Sequence, residues 1–180
     1  TLVGVISADT GMHMPDFRAA ERSFQLLTQV AGRSGRGEQP GEVVVQTCLP
    51  EDPVLLTAAA QDYAAFAERE LVERREAGFP PFGRLLLLRW RGEDEEGVER
   101  VARDSSDRLM RSLDPSIALL GPSPAPLARL RGAYRWQALL RAAASRPLRD
   151  AAREAWDDMS QLAQRHDVVF TVNVDPLTMM

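Results

Sequence analysis

The 180-residue chain contains no lysine, because all 22 of its basic residues are arginine. This absence excludes a phosphate-loop lysine, a Schiff-base lysine and a lysine general base from the chain. One cysteine, Cys48, and two histidines, His13 and His166, exclude a disulfide scaffold and an ordinary zinc finger, so no metal site is predicted. The chain also lacks a signal-type start and an apolar run of about 18 residues, which favours a cytoplasmic globular protein with no membrane partner.

The acidic residues number 26, and the formal net charge is −4. A protein that coats nucleic acid through its overall charge is therefore excluded, although a local basic surface is not. Apolar residues make up 44% of the chain, which is ordinary for a packed core.

The first part of the chain has the pattern of a strand–helix–strand unit. Residues 2–6 form an apolar run typical of a buried parallel strand, and 17–31 show the spacing of an amphipathic helix. A loop rich in glycine and arginine, 32–41, precedes a second apolar run at 43–48. Because one such unit cannot bury a parallel sheet alone, we expect these residues to belong to a larger domain, and the chain to be a fragment.

The middle of the chain predicts a long connecting helix. Asp52 is a candidate N-cap, and Pro53 suits the first helical position. The helix should run to about Ala77, where Gly78 is a natural stop, and a domain boundary is expected at 78–83.

After the boundary the pattern predicts an α+β domain of the ferredoxin-like class, with four antiparallel strands and two helices on one face. The predicted elements, in order, are a strand at 85–91, a helix at 95–113, a short strand at 117–120, a strand at 134–141, a helix at 147–165 and a strand at 168–174.

The string QVAGRSGRG, residues 29–37, is the most specific motif. A helix leads into a glycine loop that presents Arg33 and Arg36 near Gln29. Two guanidiniums at this spacing can converge on one polyanion, and in phosphoryl transfer such an arginine stabilises charge on the γ-phosphate. The alternative is a solvated glycine–arginine loop.

A second signal is a stretch without acids between Asp114 and Asp150. Its local charge of +6 is typical of a surface that grips phosphates, and the alternative is a solvated arginine-rich surface. We predict DNA contacts on the strand at 134–141 and on the turn before it, at Arg129, Arg131, Arg135 and Arg141. The remaining two arginines of the six are Arg146 and Arg149, at the start of the final helix.

These motifs identify a family. The segment 16–47, DFRAAERSFQLLTQVAGRSGRGEQPGEVVVQT, resembles the PriA family of primosomal replication restart helicases of superfamily 2. Three later strings are similar to that family's C-terminal domain: ERREAGFPPFGR at 73–84, LGPSPAPLARLRGAYRWQ at 120–137 and VNVDP at 172–176.

The resemblance implies a division of the chain and roles for its motif residues. Residues 1–50 would end the second RecA-like lobe, 51–83 would be a connecting helix and linker, and 84–180 a C-terminal domain. Gln29, Arg33 and Arg36 would be motif VI residues, which reach ATP held by the first lobe. ATP, Mg²⁺ and the family's zinc would be bound mainly by regions outside this chain, so the chain alone should lack ATPase activity.

The resemblance also implies partners. They are branched and single-stranded DNA, single-stranded-DNA-binding protein and the primosome loading proteins, in the bacterial cytoplasm at the nucleoid. By resemblance, Arg146 with Arg149 would help hold the acidic tail of single-stranded-DNA-binding protein. The implied activity is that of the C-terminal part of an ATP-dependent 3′–5′ DNA helicase for replication fork restart. Two alternatives remain: a non-catalytic DNA-structure adaptor of the same family, and an RNA-binding α+β domain.

Overall fold

A computed structural model describes residues 2–34 and 42–179, with side chains for 2–32 and 42–179. The chain divides into two compact units, Thr1–Glu73 and Arg74–Met180. This division falls a few residues before the expected boundary at 78–83, and the three-part assignment of domains stays a prediction.

The first unit contains a short parallel sheet and packed helices. Its elements are β1 (Leu2–Val5), α1 (Ala8–Met12), α2 (Ala19–Ser34), β2 (Glu42–Val45), α3 (Pro53–Ala59) and α4 (Tyr63–Ala77), the last of which continues into the second unit. β1 and β2 pair in parallel, as the strand–helix–strand pattern predicts. In this chain Leu2 is 69% exposed and the face that carries Val5 and Val45 packs on the core, so the burial expected for the strand in a larger domain stays a prediction.

The core of the first unit joins α2 to the helices that follow β2. Phe24 of α2 stacks on Phe66 of α4, with ring centroids 4.2 Å apart, and Leu27 packs in the same cluster with Leu55 and Ala58 of α3. Residues predicted as a connecting helix therefore contribute to this core.

The predicted helix from Pro53 to Ala77 is two helices. Asp52 caps the first, because its carboxylate accepts a hydrogen bond from the Val54 amide at 2.8 Å. The chain then breaks at Gln61, whose φ is +53°, and the Asp62 carboxylate accepts from the Ala65 amide at the start of α4. The sequence signal for this break is an Asp in the N-cap position, within a run of good helix formers.

The second unit has the predicted ferredoxin-like fold. Its elements are β3 (Arg84–Gly92), α5 (Glu95–Ser112), β4 (Ala118–Leu130), β5 (Ala133–Ala142), α6 (Ser145–Arg165) and β6 (Val169–Val174). The strands form one antiparallel sheet in the order β4-β5-β3-β6. Gly78, with φ +64°, ends α4 just before this sheet begins, as expected.

One face of the sheet carries the core, and it is called here the helix-covered face. Its strand residues alternate with those of the other face, as the period of two requires. They pack on α5 and α6 and include Leu86, Leu88, Trp90, Trp136, Ala138, Leu140 and Phe170. Both helices thus lie on this side of the sheet.

β4 is much longer than the predicted strand at 117–120. It runs to Leu130 despite three prolines, with register shifts between Leu120 and Ser123 and again between Pro124 and Arg129. Proline lacks the donor that an inner strand needs, yet an edge strand with bulges accommodates it, and β4 is an edge strand.

Candidate nucleic-acid interface

The described part of the motif, residues 29–34, forms the C-terminal end of α2. Gln29 is exposed on this helix, and α2 extends to Ser34, three residues beyond the predicted end. Arg33 belongs to the last turn, but its side chain lies outside the described residues, as does the whole of Arg36. The predicted roles of these residues toward ATP therefore stay predictions.

Asp9 links the two segments that follow β1 and β2. Its carboxylate accepts hydrogen bonds from the Thr47 hydroxyl at 2.5 Å and from the Cys48 amide at 2.9 Å. These bonds stabilise the charged form and lower the pKa of Asp9 below its ordinary value. Asp9 therefore holds the carboxyl ends of the two parallel strands together.

The sheet face opposite the helices carries a row of arginines. On β3, Arg89 and Arg91 alternate with the buried Trp90, and on β5 Arg135 lies directly opposite Arg91 in the antiparallel register. Directly opposed residues have side chains on the same face and in close proximity. The sheet thereby gathers arginines from two strands that are more than 40 residues apart in the sequence.

These arginines surround a hollow of about 410 Å³, called here the arginine hollow. Its lining residues come from β3, β4, β5, β6 and the turn between β4 and β5: Arg89, Trp90, Arg91, Leu130, Arg131, Arg135, Val169 and Thr171. None of these described lining residues is acidic. The hollow is therefore a concave surface of one sign of charge, the kind that concentrates anions.

The pKa of Arg89 is lowered by its surroundings in the hollow. Partial burial lowers the pKa of the Arg89 guanidinium, and the positive charge of Arg135 lowers it further. A bound anion would supply opposite charge at this position and relieve the repulsion between the two cations.

A tight hairpin presents the remaining predicted arginines. Leu130 pairs with Ala133, and Arg131 and Gly132 between them have φ values of +51° and +82°, as a two-residue turn of the primed type requires. Arg129 lies over the Tyr134 ring, 4.9 Å from its centroid. The turn thus holds Arg131 at the rim of the arginine hollow.

Arg141 has different surroundings from the other predicted DNA-binding residues. Its guanidinium donates a hydrogen bond to the carbonyl of Ala77 at the C-terminal end of α4. Its Cδ atom is 3.5 Å from the position that a Cβ on residue 78 would take. The half-buried Arg141 caps α4 and does not line the arginine hollow, and its predicted contact with DNA stays a prediction.

Arg146 lies in the first turn of α6 and Arg149 about one turn later, as predicted. Arg146 is 87% exposed in its side chain, with its Nε atom 3.7 Å from an Asp150 carboxylate oxygen. It also borders a hollow that is lined by Asp114, Asp150 and Glu154, and these carboxylates disfavour an acidic ligand. The predicted partner contact stays a prediction.

The sequence analysis missed Arg89 and Arg91. The signal was present in the string LLLLRWR, in which two arginines flank a tryptophan at alternate positions of an apolar strand. Such alternation indicates one buried face and one polar face.

Within the described part of the chain, no group of three or more His, Cys, Asp or Glu side chains could hold a metal ion, and no helix is both long and apolar enough to cross a membrane.

Comparisons with known proteins agree with this organisation. Residues 75–177 match the family described as primosomal protein N C-terminal domain. The replication restart protein PriA of Synechocystis is 43% identical over 141 residues, covering 78% of this chain and 17% of that protein. The PriA of Bacillus subtilis is 35% identical over 180 residues, covering 100% of this chain and 22% of that protein.

The chain thus spans about a fifth of the length of these relatives. Among solved structures, the de novo designed protein Foldit4 aligns with 52% of this chain and 97% of its own at 13% identity, with a TM-score of 0.40. That likeness is too weak to support any conclusion.

Proposed function

Because the chain belongs to the PriA family of replication restart proteins and contains that family's C-terminal domain, we propose that it binds the phosphate backbone of DNA through the arginine hollow. The observation that carries the proposal is the convergence of Arg89, Arg91, Arg131 and Arg135 on one concave surface without an acidic lining residue.

Arginine suits this role for two reasons. Its planar guanidinium donates two parallel hydrogen bonds to a phosphate, and it stays charged at neutral pH even where burial lowers its pKa. Contacts of this kind position DNA without reading its sequence. We therefore expect binding that depends strongly on salt and weakly on base sequence.

Fluorescence anisotropy of a labelled DNA oligonucleotide tests the proposal on the 180-residue chain. Arg91→Gln and Arg131→Gln should each weaken binding about tenfold or more, since a hydrogen bond to a charged group contributes about 1.5–3 kcal/mol. Arg103→Gln is the matched control, because Arg103 is an exposed arginine of α5 that pairs with Glu99 at 2.8 Å. Equal affinity of all three variants and the wild type would contradict the proposal.

The longer protein is proposed to be an ATP-dependent 3′–5′ DNA helicase for fork restart, acting in the bacterial cytoplasm at the nucleoid. Support comes from the sequence motif QVAGRSGRG at 29–37 and from membership of the PriA family. Arg36 would stabilise negative charge on the transferred phosphoryl group, with Arg33 and Gln29 beside it. In the full-length protein, Arg36→Ala should lower ATP turnover about 10³-fold with little change in ATP affinity. A loss of affinity with turnover kept would instead make Arg36 a ground-state ligand.

The adaptor alternative has its own test. A full-length protein that binds forked DNA but hydrolyses no ATP would be an adaptor, and Arg36→Ala would then change nothing. The RNA-binding alternative would require an RNA oligonucleotide to bind the 180-residue chain more tightly than DNA of the same sequence.

The start of α6 is proposed to contact the acidic tail of single-stranded-DNA-binding protein through Arg146 and Arg149. Support comes from the N-cap residue Ala144, whose side chain makes no capping hydrogen bond, so the N–H groups of Ser145 and Arg146 have no side-chain cap; Pro147 has no N–H to offer. Arg146→Ala should weaken binding of a labelled acidic tail peptide several-fold. Because the carboxylates nearby oppose an anion, Asp150→Asn should strengthen it, and no response to either change would remove this surface from the partner site.

A further inference from the structure

The arginine hollow has an apolar side as well as a charged one. Leu130 is 45% exposed at the end of β4, and Val169 is 57% exposed at the start of β6. Both line the hollow, together with the hydroxyl-bearing Thr171. A phosphate backbone makes no use of such apolar side chains, whereas an unpaired base can pack against them.

The sheet register places the charged and apolar groups in order. Arg91 lies between Arg135 of β5 and Val169 of β6, and Arg89 lies opposite Thr171 of β6. Neighbouring strands are about 4.8 Å apart, and alternate residues on one strand are about 7 Å apart. The cations therefore occupy the middle of the surface, with an apolar side chain on the β6 edge and Leu130 at the hairpin.

The size of the hollow restricts its ligand. About 410 Å³ is in the range of small-molecule sites and is enough for one nucleotide. In a duplex the faces of the bases are covered by stacking, whereas a single strand can turn a base outward onto a protein side chain.

We propose that the arginine hollow binds one nucleotide of a single-stranded DNA, with its phosphate held by Arg89, Arg91 and Arg135 and its base packed against Leu130 and Val169. This inference rests on the proposed function and adds the class of DNA that the site selects. The arginines supply the affinity for phosphate, and the apolar flanks supply the preference for an unpaired base.

A pair of matched leucine variants tests the inference. Leu130→Ser in the 180-residue chain should weaken binding of a labelled oligothymidine about threefold to tenfold and leave binding of a blunt duplex of the same length unchanged. Leu127→Ser is the control, since Leu127 is 46% exposed on the same strand but does not line the hollow. It should change neither affinity.

Salt dependence separates the apolar contribution from the charged one. The slope of log affinity against log salt should stay constant in Leu130→Ser, because no charge is lost. In Arg91→Gln it should fall by about 0.7, the change expected when one contact to a single-strand phosphate is removed. As a further arm, thymidine monophosphate should displace the oligothymidine at a lower concentration than inorganic phosphate does.

Each outcome decides between the two proposals. If the two leucine variants behave alike, or if phosphate competes as well as thymidine monophosphate, the nucleotide assignment is overturned and the arginine hollow is a phosphate site only. If the arginine variants also retain full affinity for both DNAs, the proposed function fails together with the inference.

Discussion

Arg135 and Arg141 lie on the same face of the same strand, six residues apart, yet their surroundings differ. Arg141 reaches the carbonyl of Ala77 and lies against Gly78. Arg135 opens onto the arginine hollow, near enough to Arg89 to lower its pKa. The difference teaches that residue type and strand face do not assign a role. Both guanidiniums donate to a backbone carbonyl, and the difference is that only Arg135 also lines an open hollow.

The end of this face near Arg141 is closed by residues 77–83. The Phe79 amide donates to the Arg74 carbonyl at 2.8 Å, and the Gly83 amide donates to the Phe79 carbonyl at 3.2 Å. Leu85, which pairs with Arg141 in the sheet register, is fully buried. The guanidinium at this end donates to a carbonyl at the C-terminal end of α4. At the other end Arg135 donates to the Leu127 carbonyl at 3.5 Å and also lines the arginine hollow.

The largest effect on folding is expected on the helix-covered face. Leu88→Ala should destabilise the second unit by about 2–5 kcal/mol, since the side chain is buried in the main core. Unfolding in guanidinium chloride, followed by tryptophan fluorescence, measures the free energy of unfolding of this unit selectively, because Trp90, Trp136 and Trp156 all lie in it. The exposed Leu127→Ala is the control, and a similar loss in both would refute the assignment of the core face.

Arg141→Ala should have the next largest effect on the free energy of unfolding. Removing its charged hydrogen bond to Ala77 should cost about 1.5–3 kcal/mol of unfolding free energy. Affinity of the folded protein for DNA should not change, because Arg141 does not line the arginine hollow. The same unfolding experiment and DNA anisotropy test it, and a loss of DNA affinity at unchanged stability would restore Arg141 to the DNA interface.

Substitutions of Gly132, in the hairpin that carries Arg131, should have a smaller effect on the free energy of unfolding. Gly132 has φ +82° with open space around its Cα, so Gly132→Ala costs backbone strain of about 1 kcal/mol and no steric clash. Gly132→Asn should cost less, because asparagine tolerates the left-handed region. Urea midpoints of the two variants give the comparison, and equal midpoints would argue against the two-residue turn.

Arg135→Gln should have the smallest effect on folding and a clear effect on binding. Its stability should stay within about 0.5 kcal/mol of the wild type, whereas DNA affinity should fall about tenfold. Arg141→Ala should show the opposite pattern, with a loss of stability and unchanged DNA affinity. The contrast between the two ends of the face would collapse if both variants lost stability and affinity together.

Much of the fold could be predicted from the sequence. The largely apolar run at 85–91 predicted β3 and the alternation at 134–141 predicted β5, each to within one residue at each end, and the helical stripe predicted α6. The length of β4 could not be predicted, because its prolines argue against a strand wherever its position at the sheet edge is unknown. The break between α3 and α4 was likewise hidden in a run of helix-forming residues.

The candidate site was only partly predictable. Arg131 and Arg135 were predicted from the stretch without acids, and both line the arginine hollow. Arg89 and Arg91 were missed although their alternation with Trp90 indicated a polar face, because they lie in β3, far in sequence from that stretch, and join it only through the pairing of β3 with β5. Local composition describes neighbours along the chain, whereas a sheet face is built from residues that are distant in sequence.

The sequence by itself determined the order of elements, the alternation of faces on each strand and the excess of arginine over acid between Asp114 and Asp150. These properties depend on local propensity and periodicity, which each segment carries alone. Tertiary structure decided which arginines share a surface, since the β4-β5-β3-β6 order brings Arg91 opposite Arg135 and closes the end near Arg141 with the residues after α4. The physical reason is that strand pairing and burial are long-range interactions, and they assign different environments to identical side chains.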